Sequence, residues 1–181
     1  MRQPVTADTL NAFMKAVAAG VPTASRIYLV GGATSVLLGW RTSTIDIDLK
    51  IIPESDEILR SLPSIKERLQ VNIELAAPDD FIPELPGWQE RSRFIQQEGK
   101  LSFYHYDFYA QALAKIERGH QIDSQDVAQL IANGLVDRKR LLELFTMIED
   151  QLHRFLAIDG PTFRRAVERV SATHYEPADE S

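Results

Sequence analysis

The stretch Thr44 to Ile52, TIDIDLKII, constrains this chain more than any other part of it. Ile45, Ile47, Leu49 and Ile51 alternate with Asp46, Asp48 and Lys50, the period of a strand with one apolar and one polar face. Aspartate is depleted in strands, and two on one face lie only about 6.6 Å apart along the backbone. Their repulsion is either dispersed by water or neutralised by a bound cation; hard oxygen ligands of this kind suit Mg²⁺. Taken alone, the pair reads as a solvated strand face that Lys50 continues.

The residues upstream favour the cation. Ile27 to Val30 is a short apolar run that enters Gly31-Gly32, and Ala33 to Leu38 forms a short helix stopped by Gly39. The order is strand, tight turn, helix, then the aspartate strand, with thirteen residues, 33 to 45, between Gly32 and Asp46. Glycines allow close backbone approach, and the N–H groups of Ala33, Thr34 and Ser35 can face an anion. Phosphate at the turn and metal on the next strand is the arrangement that phosphoryl or nucleotidyl transfer requires.

Composition removes other classes. With 181 residues, 44% of them hydrophobic, the chain can build a core without staples, and the absence of Cys excludes disulfides, thiolate metal sites and thiol nucleophiles. A net charge of −6 argues against a general nucleic-acid coat. There is no apolar run near the roughly 20 residues of a membrane span and no signal peptide, so a cytoplasmic protein with no membrane partner is expected. His105, His120, His153 and His174 lack metal-ligand spacing, and no Gly-Lys-Ser/Thr loop or Gly-x-Ser-x-Gly elbow is present.

The remaining elements follow from periodicity. Thr6 to Ala19 puts Leu10, Phe13, Met14 and Val17 on one helical stripe. A helix after Glu54 is expected to break or kink at Pro63, and Val71 to Leu75 alternates as a strand. Residues 76 to 92 carry Pro78, Pro83, Pro86 and Gly87 and read as an ordered loop anchored by Phe81, Ile82 and Trp88. Leu101 to His105 is a further strand, and helices are expected at about 107–118, 124–133, 137–157 and 161–171. The aromatic cluster Tyr104, Tyr106, Phe108 and Tyr109 is assigned to core packing.

VGGATSVLLGWRTSTIDIDL resembles the signature of polymerase-β-like nucleotidyltransferases: a hydrophobic residue, Gly, Gly or Ser, a spacer, then Asp-hydrophobic-Asp-hydrophobic. NIELAAPDDFIPELPGW and FYHYDFYAQALAKIERG further resemble a minimal bacterial branch related to abortive-infection toxin-type enzymes. The resemblance implies a third carboxylate from a neighbouring strand, for which Glu74 is the candidate and Asp79 and Asp80 are rivals. It implies a hydroxyl beside the turn, where many members have Gly-Ser; here Gly32 replaces that serine, so Thr34, Ser35 or the backbone alone must serve. It also implies a triphosphate-contacting lysine, which Lys115 matches, although Lys115 is equally readable as a solvated helix residue, and Asp123 or Ser124 as a helix N-cap.

The fold so implied is α/β (α+β): a nucleotidyltransferase-like mixed sheet flanked by helices over 1–106, a helical region over 107–173 packed on it, and a frayed tail at 174–181. The function implied is Mg²⁺-dependent transfer of a nucleoside monophosphate from an NTP to a hydroxyl acceptor (protein, tRNA or small molecule), with a toxin–antitoxin partner protein possible. Asp46, Asp48 and Glu74 are the catalytic and metal residues; Gly31, Gly32, Thr34, Ser35 and Lys115 are the nucleotide-binding ones. The alternative is a non-catalytic or antitoxin-like regulatory protein of the same fold.

Overall fold

The computed structural model describes Met1–Ala172; the expected tail at 174–181 lies outside the described residues. Eight α-helices and five strands are present among the described residues, and they group into two compact units. The first comprises Met1–Ala77 and Ser92–Tyr106; the second comprises Pro78–Arg91 and the chain from Asp107 on. A single cut at 106/107 is therefore not how the chain divides, because residues 78–91 group with the helices.

The first unit holds a mixed sheet of order β3-β2-β1-β5-β4, built from β1 (Ser25–Val30), β2 (Asp46–Ile52), β3 (Asn72–Glu74), β4 (Arg93–Glu98) and β5 (Leu101–His105). β1 runs antiparallel to β2 and parallel to β5; β2 and β3 are parallel, and β4 and β5 antiparallel. Ile47, Leu49, Ile51, Ile27, Leu29, Leu101 and Phe103 share one buried core with Leu10, Phe13 and Met14 of α1 (Ala7–Ala18), Ala33 and Val36 of α2 (Gly32–Leu38), and Ile58, Leu62 and Ile65 of α3 (Asp56–Leu69). Burying such side chains stabilises by about 1.5–3 kcal/mol each, which fixes which face of β2 points inward. Asp46, Asp48 and Lys50 are thereby turned to the opposite face.

Four details of the first unit differ from the sequence reading. β2 begins at Asp46, and Ile45 is exposed, because the preceding residue, Thr44, instead makes a bridge with Val5 (Val5 N to Thr44 O 2.8 Å; Thr44 N to Val5 O 2.9 Å). Leu75 likewise lies outside β3 and is exposed. Pro63 does not break α3: it sits on the exposed side, while Ile58, Leu62 and Ile65 hold both halves of the helix to the core. β4 was not anticipated, since RFIQQE lacks a clean alternation and its register with β5 is irregular between Phe94 and Gln96.

The second unit contains α4 (Trp88–Arg91), α5 (Phe108–Arg118), α6 (Gln121–Ala132), α7 (Arg138–Ile148) and α8 (Gly160–Ser171). Helix α7 passes at Ile148 into a 3-10 segment, Glu149–Arg154, instead of running to 157; Leu152 stays buried there and Phe155 does not. In the 78–91 segment Ile82, Leu85 and Trp88 are the buried anchors, whereas Phe81 is exposed, since a 3-10 turn at Pro78–Asp80 directs Ile82 inward. Arg91 donates Nε and Nη2 to Asp107 Oδ2 (3.1 and 2.7 Å), tying that segment to the start of α5. Among the described residues no helix is long and apolar enough to cross a membrane.

Candidate active site

Register decides the site. In the parallel pairing of β2 with β3, Asp46 stands opposite Asn72 and Asp48 opposite Glu74. Residues paired across strands project to the same face, so the three carboxylates lie on one side of the sheet, away from the helices of the first unit. Across β1, Asp48 is paired with Val30, the last residue before the Gly31-Gly32 turn. The aspartate strand and the turn thus meet at one edge of one unit.

The two glycines do different things. Gly31 adopts φ +64° and ψ −127°, a conformation that side chains disfavour, and a Cβ there would lie 3.3 Å from Asp48 Oδ2. Its bare backbone is what lets the Asp48 carboxylate close on the turn. Gly32 has no positive φ; a Cβ on it would fall 2.0 Å from Thr44 Oγ1 and 2.6 Å from Thr44 Cβ. The space a residue-32 side chain would need is filled by Thr44, so packing alone already requires glycine at this position.

The hydroxyls expected beside the turn face inward. Thr34 is buried, with Oγ1 3.0 Å from His105 Nδ1 and 3.4 Å from Leu29 O; Ser35 is buried and donates to Gly31 O at 3.4 Å. Neither is presented as a surface ligand, which leaves backbone groups for that role. His105, which sequence reasoning set aside, is the neighbour that fixes Thr34: burial, then the nearby Arg93 charge, push its imidazole down to about 4, so it is neutral near pH 7. Only its place as the last inward-facing residue of an alternating strand hinted at this.

Lys115 belongs to the second unit, where it is buried and salt-bridged to Asp126 (2.7 Å) and Asp123 (3.6 Å). Arg118 clasps Asp123 at 2.8 and 2.6 Å. Burial raises the Asp123 carboxyl, but the Arg118 hydrogen bonds and the Lys115 and Arg118 charges outweigh it and hold it below the usual range. Lys115 is neither a solvated helix residue nor an uncommitted cation, and Asp123 is not an N-cap: His120 precedes α6 without a side-chain cap. Asp79 and Asp80 lie in the 3-10 turn of the second unit, whereas Glu74 belongs to β3 of the first.

The donor set suits a hard divalent cation in kind: carboxylate oxygens on one face, one of them against the turn. It is not closed as it stands. Among the described residues no three carboxylate or imidazole side chains converge as a ready metal-binding group. Asn72, a residue sequence reasoning had placed only on the same strand face as Glu74, donates from Nδ2 to Asp46 Oδ1 at 2.8 Å and to Glu74 Oε1 at 2.9 Å.

Comparison with known proteins agrees with this geometry at the level of the family. Residues 9–161 match the model of the family described as nucleotidyltransferase of unknown function (DUF6036). Neither the curated proteins nor the solved structures contain a match to the chain. With a mixed sheet carrying Asp46 and Asp48 beside a diglycine turn, and a family model that spans most of its length, the chain belongs to this nucleotidyltransferase family.

Proposed function

We propose that the protein transfers a nucleoside monophosphate from an NTP to a hydroxyl acceptor and releases pyrophosphate. The observation that carries this reading is the placement of Asp46, Asp48 and Glu74 on one sheet face, with the Asp48 carboxylate against Gly31. Asp46, Asp48 and Glu74 would hold Mg²⁺, which when bound supplies neutralisation of phosphate charge. Gly31 has no side chain of its own, so its backbone would let a phosphate oxygen approach closely. Glu74, exposed at the sheet edge, accepts the acceptor hydroxyl's proton as its oxygen bonds the α-phosphorus. The bond from the α-phosphorus to the β-bridging oxygen breaks, and that oxygen leaves with pyrophosphate.

The test is incubation of the protein with Mg²⁺, each labelled NTP and cell extract, followed by pyrophosphate release and transfer of label. Glu74→Gln should lose turnover on the order of 10²-fold. Absence of both release and transfer with all four NTPs would favour a non-catalytic or antitoxin-like protein of the same fold. That second reading draws on one observation: Thr34, Ser35 and Lys115 are all engaged internally, which leaves the triphosphate few side-chain contacts.

A further inference from the structure

Asn72 occupies a position where its residue type is disfavoured. It is the first residue of an edge strand, half-buried, directly opposite Asp46 and two residues before Glu74. Asparagine is depleted in strands, and a β-branched residue would hold this one better. What the asparagine provides is a single amide nitrogen with two protons, and both are spent on carboxylates, Asp46 Oδ1 at 2.8 Å and Glu74 Oε1 at 2.9 Å. No other side chain among the described residues bonds either carboxylate.

The planar amide sets the two bonded oxygens about 5 Å apart and leaves the second oxygen of each carboxylate outside the contact. Without it, two like charges would repel across the strands. Glu74, exposed on a short edge strand, would also spread over its rotamers. A cation that needs Glu74 would then have to order it on binding.

We infer that Asn72 is a positioning residue: it holds one oxygen of Asp46 and one of Glu74 so that their remaining oxygens face the same cation as Asp48. The inference rests on the reading that these carboxylates bind a divalent ion. Two other roles make different predictions. A residue that only relieves repulsion would change stability and not ion affinity. One whose amide blocks the ion would raise affinity when removed.

The experiment is titration of Mn²⁺ into the full chain, read as free Mn²⁺ by electron paramagnetic resonance, with melting in EDTA measured in parallel. Asn72→Ala should raise the Mn²⁺ dissociation constant about 10- to 100-fold, the size typical of residues that orient metal ligands. Asn72→Thr, whose side chain suits a strand and offers one donor, should remain folded and show a smaller loss; it decides the matter if the alanine variant does not fold. Affinity equal to or tighter than wild type in a folded variant overturns the positioning role while leaving the cation site intact. No Mn²⁺ binding by the wild-type chain overturns both this inference and the cation reading beneath it.

Discussion

Replacing Gly32 by alanine places a methyl carbon 2.0 Å from Thr44 Oγ1, 2.6 Å from Thr44 Cβ and 3.2 Å from Thr44 Cγ2. Carbon atoms in favourable contact stay about 3.5–4.0 Å apart, so something must move by about 1 Å. Rotating Thr44 about χ1 shifts Oγ1 and Cγ2 but not Cβ, and its backbone is pinned on both sides by the bridge to Val5. Overpacking of this kind costs about 1–3 kcal/mol, against at most about 1 kcal/mol gained by alanine over glycine in a helix. Gly32→Ala should therefore destabilise the chain by about 1–2 kcal/mol. Thr44→Gly removes all three clashing atoms, so in that background the same substitution should cost nothing or stabilise slightly. Urea unfolding of both single variants and the double variant measures the coupling, with Trp40 as a reporter in the same unit. Equal cost in both backgrounds would refute the account of Gly32 as a packing residue.

Two further outcomes are expected. His105 is held near 4 in the fold against about 6.5 unfolded, so its contribution is complete above about pH 6.5 and is lost as pH falls towards 4. That amounts to about 2 kcal/mol between pH 7 and pH 5, and urea midpoints of wild type and His105→Gln should show a flatter profile in the variant; parallel profiles contradict it. Lys115→Met leaves Asp126 buried without its cation and should destabilise by about 3 kcal/mol or more, whereas a stable variant that loses NTP binding would return Lys115 to the nucleotide.

The first unit was legible where periodicity and burial agree. Ile47, Leu49 and Ile51 are buried and Asp46 and Asp48 are not, so the alternation of β2 carried both the fold and the carboxylate pair. Glu74 on the same face as the aspartates follows from alternation in β3 plus parallel pairing, and only the pairing had to be seen in the structure. Other features depend on contacts remote in sequence. Thr44 fills the space at Gly32 from twelve residues away, and His105 at the end of β5 reaches Thr34 of α2 from 71 residues away. Lys115 looked available because a local reading shows a lysine on a helix, not the two carboxylates of the next helix closing on it. Asn72 was read by side-chain face alone, which says nothing of the two bonds its amide makes.

Calorimetric titration of each NTP with Mg²⁺ or with EDTA tests most directly whether Asp46 and Asp48 bind nucleotide through a divalent ion. Wild type should bind at least one NTP only when Mg²⁺ is present. Asp46→Asn and Asp48→Asn should each weaken that binding at least tenfold while apo stability is unchanged or rises by up to about 1 kcal/mol as like-charge repulsion is relieved. NTP binding that neither EDTA nor either substitution alters, or no binding to the wild type at all, contradicts the account.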